Sequence, residues 1–96
     1  MDIVKTKEGE KLVVVLNGRL DTVTAPQLEA ELDLSGVKEL VFDIAGLDYV
    51  SSAGLRLFLS SQKTMSKVGT MVIRGAKPIV KEVFDITGFT DILTIE

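Results

Sequence analysis

Apolar residues recur along this chain with two alternating periods. Five short runs are typical of strands because they are brief, rich in branched residues and bounded by turn residues. They lie at residues 3–6, 12–16, 40–44, 71–73 and 92–95. The second run is continuously apolar, so we expect it to be buried on both faces of a sheet. Glu8 and Gly9 form a turn signal that predicts a hairpin between the first two runs, and Gly46 predicts a turn soon after the third.

Between these runs, apolar residues are spaced three and four apart, which is typical of amphipathic helices. Thr24 is predicted to cap a short first helix, with Gln27 at the capping-box position. The second helix follows the serines of the segment Val50–Arg56 (VSSAGLR). Pro78 fits the first turn of a third helix, and Gly88 fits its end.

The predicted order of elements is β-β-α-β-α-β-α-β, within a single domain of residues 1–96. Strands separated by helices need crossover connections, which favour parallel pairing. The predicted hairpin adds one antiparallel pair. We therefore expect an α/β fold with a mixed β-sheet and helices packed on it.

Composition narrows the range of functions. The chain has 96 residues, a net charge of −3, and neither histidine nor cysteine. The charge argues against a general nucleic-acid binder, which would need many cations to neutralise phosphates. The missing residue types remove the usual general base, the thiolate nucleophile and the commonest metal ligands. No apolar run is long enough to span a membrane and the first residues do not form a signal peptide, so we expect a soluble cytoplasmic protein, most simply a monomer.

The serines between strand and helix admit an ordinary interpretation and several sharper ones. In the ordinary one, Ser51 or Ser52 simply caps the second helix. A serine hydrolase needs a G-x-S-x-G turn and a base, and this chain has neither that turn nor a histidine. Nucleotide-binding motifs of the G-x-x-x-x-G-K-[ST] or G-x-G-x-x-G type are also absent.

A regulatory phosphosite is the remaining chemical alternative. Phosphorylation of Ser52 by a protein kinase would add roughly −1.5 to −2 charges. A helix N-terminus tolerates a phosphate, so the fold would change little. A docked partner would instead meet a bulky dianion, and repulsion would increase if Asp21 or Asp48 lay near the interface.

Three segments carry a resemblance to a known family. VVVLNGRLDTVTAPQLEAEL, ELVFDIAGLDYVSSAGLRLFL and PIVKEVFDITGFTDIL resemble, in order and spacing, the STAS domain of small bacterial anti-sigma factor antagonists. The first segment matches the family's motif at Gly18, Leu20, Asp21, Thr24, Ala25 and Leu28. The resemblance covers nearly the whole chain and implies the STAS fold.

The resemblance also implies a mechanism. The unphosphorylated antagonist binds an anti-sigma factor, which is a serine kinase, and so frees the sigma factor. The kinase phosphorylates the position that corresponds to Ser52 and releases the antagonist, and a metal-dependent phosphatase restores it. ATP and its metal belong to the kinase, so the resemblance implies a protein that is not an enzyme and needs no cofactor. No contact with nucleic acid or membrane is expected.

The family's partner surface maps onto residues around the serines. The predicted partner-binding residues are Asp21, Thr22, Ser51, Ala53, Gly54, Leu55, Arg56 and Leu57. Family members often have Asp in place of Ser51 and Gly in place of Arg56, so Ser51 is a second candidate acceptor and Arg56 could pair with a phosphate or with an acidic partner. Leu57 lies off the apolar stripe and either contacts a neighbouring helix or faces a partner. Other STAS domains serve as non-switching subunits, for example of lipid-transport complexes, and this remains the alternative.

Overall fold

Four strands form one mixed sheet in the computed structural model, which describes residues 1–96. The strands follow the order β1-β2-β3-β4 across the sheet. The hairpin pair is antiparallel, and the two other pairs are parallel. The strands are β1 (Asp2–Glu8), β2 (Lys11–Leu20), β3 (Glu39–Val50) and β4 (Thr70–Arg74). The predicted mixed sheet is confirmed.

Three helices connect and follow the parallel strands: α1 (Ala25–Glu31), α2 (Ser52–Ser66) and α3 (Pro78–Thr87). Their apolar residues join one core cluster with alternate residues of the strands, so all three lie on the same face. Phe58 of α2 is at the centre of this core, with its ring centroid 5.1 Å from that of Phe42 and 6.0 Å from that of Phe84. Gly88 ends α3 in the left-handed conformation, as predicted, with φ of 78°. No helix has both the length and the apolar character that crossing a bilayer requires.

The second face of the sheet carries no helix. Leu12, Val14 and Leu16 of β2 are buried, whereas Val13 and Val15 point the other way and are only half-buried. The prediction that this run is buried on both faces is therefore wrong. The physical reason is that every helix packs on one side, leaving the valines of the other side shielded only by their neighbours on the sheet.

The predicted last strand is reduced to one bridge. Phe89–Asp91 forms a single 3-10 turn after α3, and Ile95 alone pairs with Ile73 of β4 in parallel. Leu93 turns into the core while Ile92 stays 53% exposed, so the segment does not run alongside β4 from its start. The sequence ILTI is typical of a strand because buried and exposed positions alternate along it. The same alternation occurs in the observed segment, which makes only one bridge.

The third strand is much longer than the apolar run 40–44. Gly46 does not form the predicted turn but lies within β3, opposite Asn17 of β2, where the register shifts at a bulge. A Cβ atom at Gly46 would overlap the Asn17 side chain, so the glycine permits this close approach of the two strands. Pairing then continues as far as Leu20 and Val50. This extension sets the geometry of the candidate site.

Candidate functional site

Two turns leave the sheet side by side at the carboxyl ends of β2 and β3. The aspartate turn (residues 21–24) leads from β2 into α1, and the serine turn (residues 51–54) leads from β3 into the first turn of α2. Leu20 and Val50 are register partners, and the Ser51 N–H donates to the Leu20 carbonyl at 2.8 Å. The sheet itself therefore fixes the two turns next to each other.

The aspartate turn is closed by its own hydrogen bonds. Asp21 Oδ1 accepts from the N–H groups of Val23 and Thr24, both at 3.0 Å. In return, Thr24 Oγ1 accepts from the Asp21 N–H at 2.8 Å and donates to the Arg19 carbonyl at 2.8 Å. The predicted capping role of the Thr24 side chain, with Gln27 as its partner, is wrong. Thr24 has helical φ and ψ angles, so its hydroxyl reaches back into the turn instead of forward to α1.

The same bonds hold Asp21 in its charged form. The Thr24 N–H, helped by the Val23 N–H, the Thr24 hydroxyl and the Arg19 charge, lowers the pKa of the Asp21 carboxyl below its usual 3.8, against a smaller desolvation effect. Arg19 Nε lies 3.8 Å from Asp21 Oδ2, and its guanidinium carbon lies 4.3 Å from the centroid of the Tyr49 ring. Asp21 thus shapes the turn, and its contact with a partner remains a prediction.

The two serines have different roles in the serine turn. Ser51 is the N-cap of α2: its backbone is extended and its Oγ accepts from the Gly54 N–H at 3.5 Å. Ser51 is half-buried. Ser52 begins the helix, is exposed, and has a hydroxyl that makes no hydrogen bond within the chain. The cap and the free hydroxyl are therefore on separate residues.

Gly54 and Leu55 lie under the serine turn. A Cβ atom at Gly54 would be 2.7 Å from Leu20 Cγ and 3.2 Å from Val50 Cγ1. Leu55 is 6% exposed and belongs to the core cluster. Their contact with a partner stays a prediction, and burial means that Leu55 could contribute to it only through its backbone. Both residues hold the first turn of α2 close to the ends of β2 and β3.

A groove of about 330 Å³ runs between α1 and α2 beside the serine turn. Its lining contains four predicted partner-binding residues and four that the sequence analysis missed. The predicted ones are Thr22, Ala53, Arg56 and Leu57, and the others are Ala25, Pro26, Glu29 and Ser60. The lining residues recur three and four apart on each helix, and this spacing could have identified the groove faces. Leu57 also packs against the core cluster, so it contacts its neighbours and lines the groove at once.

Two exposed apolar residues at this edge were also missed. Val23, in the aspartate turn, is 73% exposed, and Tyr49, just before the serine turn, is 40% exposed. Val23 stands between two threonines in a turn and Tyr49 follows Asp48 near a strand end, and this placement was the available signal. Asp48 does not contribute a free charge here because it is ion-paired with Lys77.

Comparison with known proteins places this arrangement in one family. The model of the STAS domain matches residues 2–96, so the chain belongs to the STAS domain family. It is similar to BtrV of Bordetella bronchiseptica, assigned as an anti-sigma factor antagonist, with 39% identity over 99 residues that cover 99% of this chain and 85% of BtrV.

Two solved structures of the Bacillus protein SpoIIAA share the fold. The anti-sigma factor antagonist SpoIIAA in its unphosphorylated form aligns with a TM-score of 0.77 and 19% identity, over 99% of this chain and 87% of that chain. The phosphorylated form aligns with a TM-score of 0.77 and 20% identity, over 99% and 91%. The expected fold family is confirmed.

Proposed function

We propose that this protein is an anti-sigma factor antagonist that is switched by phosphorylation of Ser52. In its unphosphorylated form it binds an anti-sigma factor serine kinase, and this binding frees the sigma factor. The observation that carries the proposal is the exposed, unbonded hydroxyl of Ser52 beside Ser51, whose own hydroxyl is engaged as the helix cap. The names of similar proteins such as BtrV, and the two forms of SpoIIAA, support it.

The surface offered to the kinase has an apolar part and a polar part. Val23 is the exposed apolar residue of the aspartate turn, and Leu57 lies in the groove floor. Thr22 and Arg56 supply polar groups around Ser52. Exposed apolar residues bordered by polar ones are typical of protein interfaces. We propose that the kinase covers the two turns and the groove together.

Phosphorylation acts on this surface without disturbing the core. The kinase transfers the γ-phosphoryl group of ATP: the Ser52 Oγ–P bond forms, the bond to ADP breaks, and the hydroxyl proton passes to the kinase. Ser52 is exposed and its hydroxyl makes no bond that the fold would lose. The roughly −1.5 to −2 added charges then repel a complementary partner and hinder close packing.

Reversal requires a second protein. A metal-dependent phosphatase would add water to the phosphorus, break the Ser52 Oγ–P bond and restore the hydroxyl. In this proposal the catalytic groups, ATP and metal belong to the kinase and the phosphatase, and this cytoplasmic chain is their substrate and not itself an enzyme. The alternative, a non-switching subunit of another complex, differs because it needs no modification of Ser52.

Mass spectrometry and calorimetry test the proposal together. The chain is incubated with ATP, magnesium and each candidate serine kinase of its source organism, and the modified residue is mapped. We expect one phosphoryl group on Ser52, none in Ser52→Ala, and an unchanged reaction in Ser66→Ala, an exposed serine at the far end of the same helix and outside the groove.

Binding of the same kinase is then measured by calorimetry. Ser52→Ala should retain affinity, and Ser52→Asp should weaken it by at least about tenfold, since charge repulsion in an interface amounts to a kcal/mol or more. If no kinase modifies the chain and Ser52→Asp binds its partner as well as wild type does, the switch is refuted and the non-switching alternative stands.

A further inference from the structure

The three arginines of this chain differ in their contacts. Arg19 lies against Asp21 and the Tyr49 ring, and Arg74 Nε lies 3.5 Å from Asp43 Oδ2. Arg56 has neither an ion pair nor a hydrogen bond within the chain, although it is the arginine on α2 nearest the serine turn. Its guanidinium is therefore available for a group that the unmodified chain does not contain.

Arg56 is placed to reach Ser52. The two residues are four apart on α2, so they share one face of the helix one turn apart. Helical side chains lean toward the N-terminus of their helix, which directs a long side chain at position 56 back over position 52. The order also matters: an anion four residues before a cation is the more favourable arrangement. Both residues are exposed.

We propose that Arg56 binds the phosphoryl group on Ser52 within the same chain, and leaves the rim of the groove when it does so. This rests on the proposed function because it concerns the regulation of the same serine. The guanidinium would donate to two phosphate oxygens, an arrangement that arginine favours. Arg56 is thus a positioning residue for the phosphorylated state.

The other charges at this edge leave Arg56 as the principal partner. Arg19 is engaged with Asp21 in the aspartate turn, and Lys77, at the start of α3, is engaged with Asp48 at the end of β3. The remaining charged group is Glu29, which lines the α1 side of the groove opposite Arg56. In the unmodified chain Glu29 therefore favours an Arg56 side chain directed into the groove, and a phosphate on Ser52 competes for it.

The consequence is that one modification makes two changes to the partner surface. A kinase docked on the groove meets an unpaired cation, Arg56, and a small hydroxyl on Ser52. After phosphorylation it meets a phosphate at the serine turn and no longer has the cation in the groove, where Glu29 remains as the charged lining residue. Release would then depend on the loss of Arg56 as well as on the added charge.

The test places phosphoserine at position 52 by genetic encoding, so that it needs no kinase. The phosphate is titrated by ³¹P NMR in wild type, in Arg56→Gln and in the matched control Lys63→Gln, an exposed cation on the same face of α2 but far from Ser52. We expect Arg56→Gln to raise the second pKa of the phosphate by about half a unit, since such helical pairs contribute fractions of a kcal/mol to about one. Lys63→Gln should leave it within about 0.1 unit because its charge is screened at that distance.

A second readout follows Arg56 directly. The Nε–H resonance of Arg56 should shift downfield on phosphorylation in wild type, as expected for a new hydrogen bond to a phosphate. An unmoved resonance, with equal phosphate pKa values in Arg56→Gln and Lys63→Gln, overturns the proposal. These outcomes do not depend on whether a kinase recognises the chain, so a failure of the switch itself would appear only in the kinase assay.

Discussion

The aspartate turn and the serine turn leave adjacent strands at the same edge, yet they use their polar groups in opposite ways. In the aspartate turn the side chains of Asp21 and Thr24 are occupied, because they bond to each other and to the chain around them. In the serine turn Ser51 is occupied as a cap, and Ser52 presents a hydroxyl with no partner. The side chains of the aspartate turn therefore stabilise the turn itself, whereas the Ser52 hydroxyl of the serine turn is accessible to other molecules.

The contrast shows how a small domain can hold an exposed hydroxyl in a fixed position. The free hydroxyl of Ser52 is not on a loose loop. It stands on the first turn of a helix that Ser51 caps and that Gly54 seats against Leu20, the last residue of the strand before the aspartate turn. The rigid turn therefore supports the accessible one, and substitutions in the two turns should have different effects.

The largest effect is expected from a substitution that disrupts the contact between the two turns. Gly54→Ala would force a Cβ atom to within 2.7 Å of Leu20 Cγ, and Leu20 is fully buried and cannot move aside. We expect a loss of about 2 kcal/mol in the free energy of unfolding, measured by urea denaturation, since overpacking typically costs 1–3 kcal/mol. Ser60→Ala on the exposed face of α2 is the control, and a wild-type stability for Gly54→Ala would contradict the close contact.

The next largest effect is expected when one substitution in each turn is compared directly. Thr24→Val keeps the shape of the side chain but removes the acceptor for the Asp21 N–H and the donor to the Arg19 carbonyl. We expect it to lower the free energy of unfolding by about 1.5 kcal/mol, the usual range for unsatisfied partners. Ser52→Ala should change it by less than about 0.5 kcal/mol, as surface substitutions do. Equal losses in both variants would contradict the division between a rigid and an accessible turn.

A smaller effect should distinguish the structural roles of the two serines. Ser51→Ala removes the helix cap, whose 3.5 Å hydrogen bond to Gly54 is long, so we expect a loss of about 0.5–1 kcal/mol in thermal or urea unfolding. Ser51→Asp should restore the cap because aspartate is an equally good N-cap. If Ser51→Ala were as stable as wild type and Ser51→Asp gave no gain over it, Ser51 would not act as the cap.

The smallest effect is the pH dependence of the aspartate turn. The folded pKa of Asp21 lies below its usual 3.8, so its contribution to stability is present above about that pH and is lost as the pH falls through the folded value. Asp21→Asn should therefore reduce the decline in unfolding free energy between pH 4 and lower pH. Some decline should remain, because the Ser35 N–H similarly lowers the pKa of Asp33. An unaltered acid profile in Asp21→Asn would contradict this assignment.

More of the fold than of the site could be predicted from the sequence. Apolar periodicity located every helix and the four paired strands, because burial on one face repeats at the period of each element. It failed at Gly46, where the strand continues through a bulge although the glycine predicted a turn, and at Ile92–Ile95, where one bridge replaces a strand. Such outcomes depend on contacts between distant segments, which local patterns do not contain.

The site was predicted in outline only. Position along the chain placed Ser52 at a strand-to-helix turn, and the structure agrees. It could not separate surface from core within that turn, where Gly54 and Leu55 prove buried. Nor could it show that Asp21 accepts from the Val23 and Thr24 N–H groups while the Thr24 side chain does not cap α1, because a short side chain's direction depends on backbone angles.

The bridge at Ile95 has a consequence for the outer edge of β4. The Ile73 N–H donates to the Thr94 carbonyl at 2.9 Å, and the Ile73 carbonyl accepts from the Glu96 N–H at 2.8 Å. The last residues thus occupy the backbone groups through which a foreign strand would add to the sheet and begin aggregation. On the opposite edge, the lysines at positions 5 and 7 of β1 discourage the same event. Deletion of residues 94–96 would remove the first safeguard and favour self-association by strand addition.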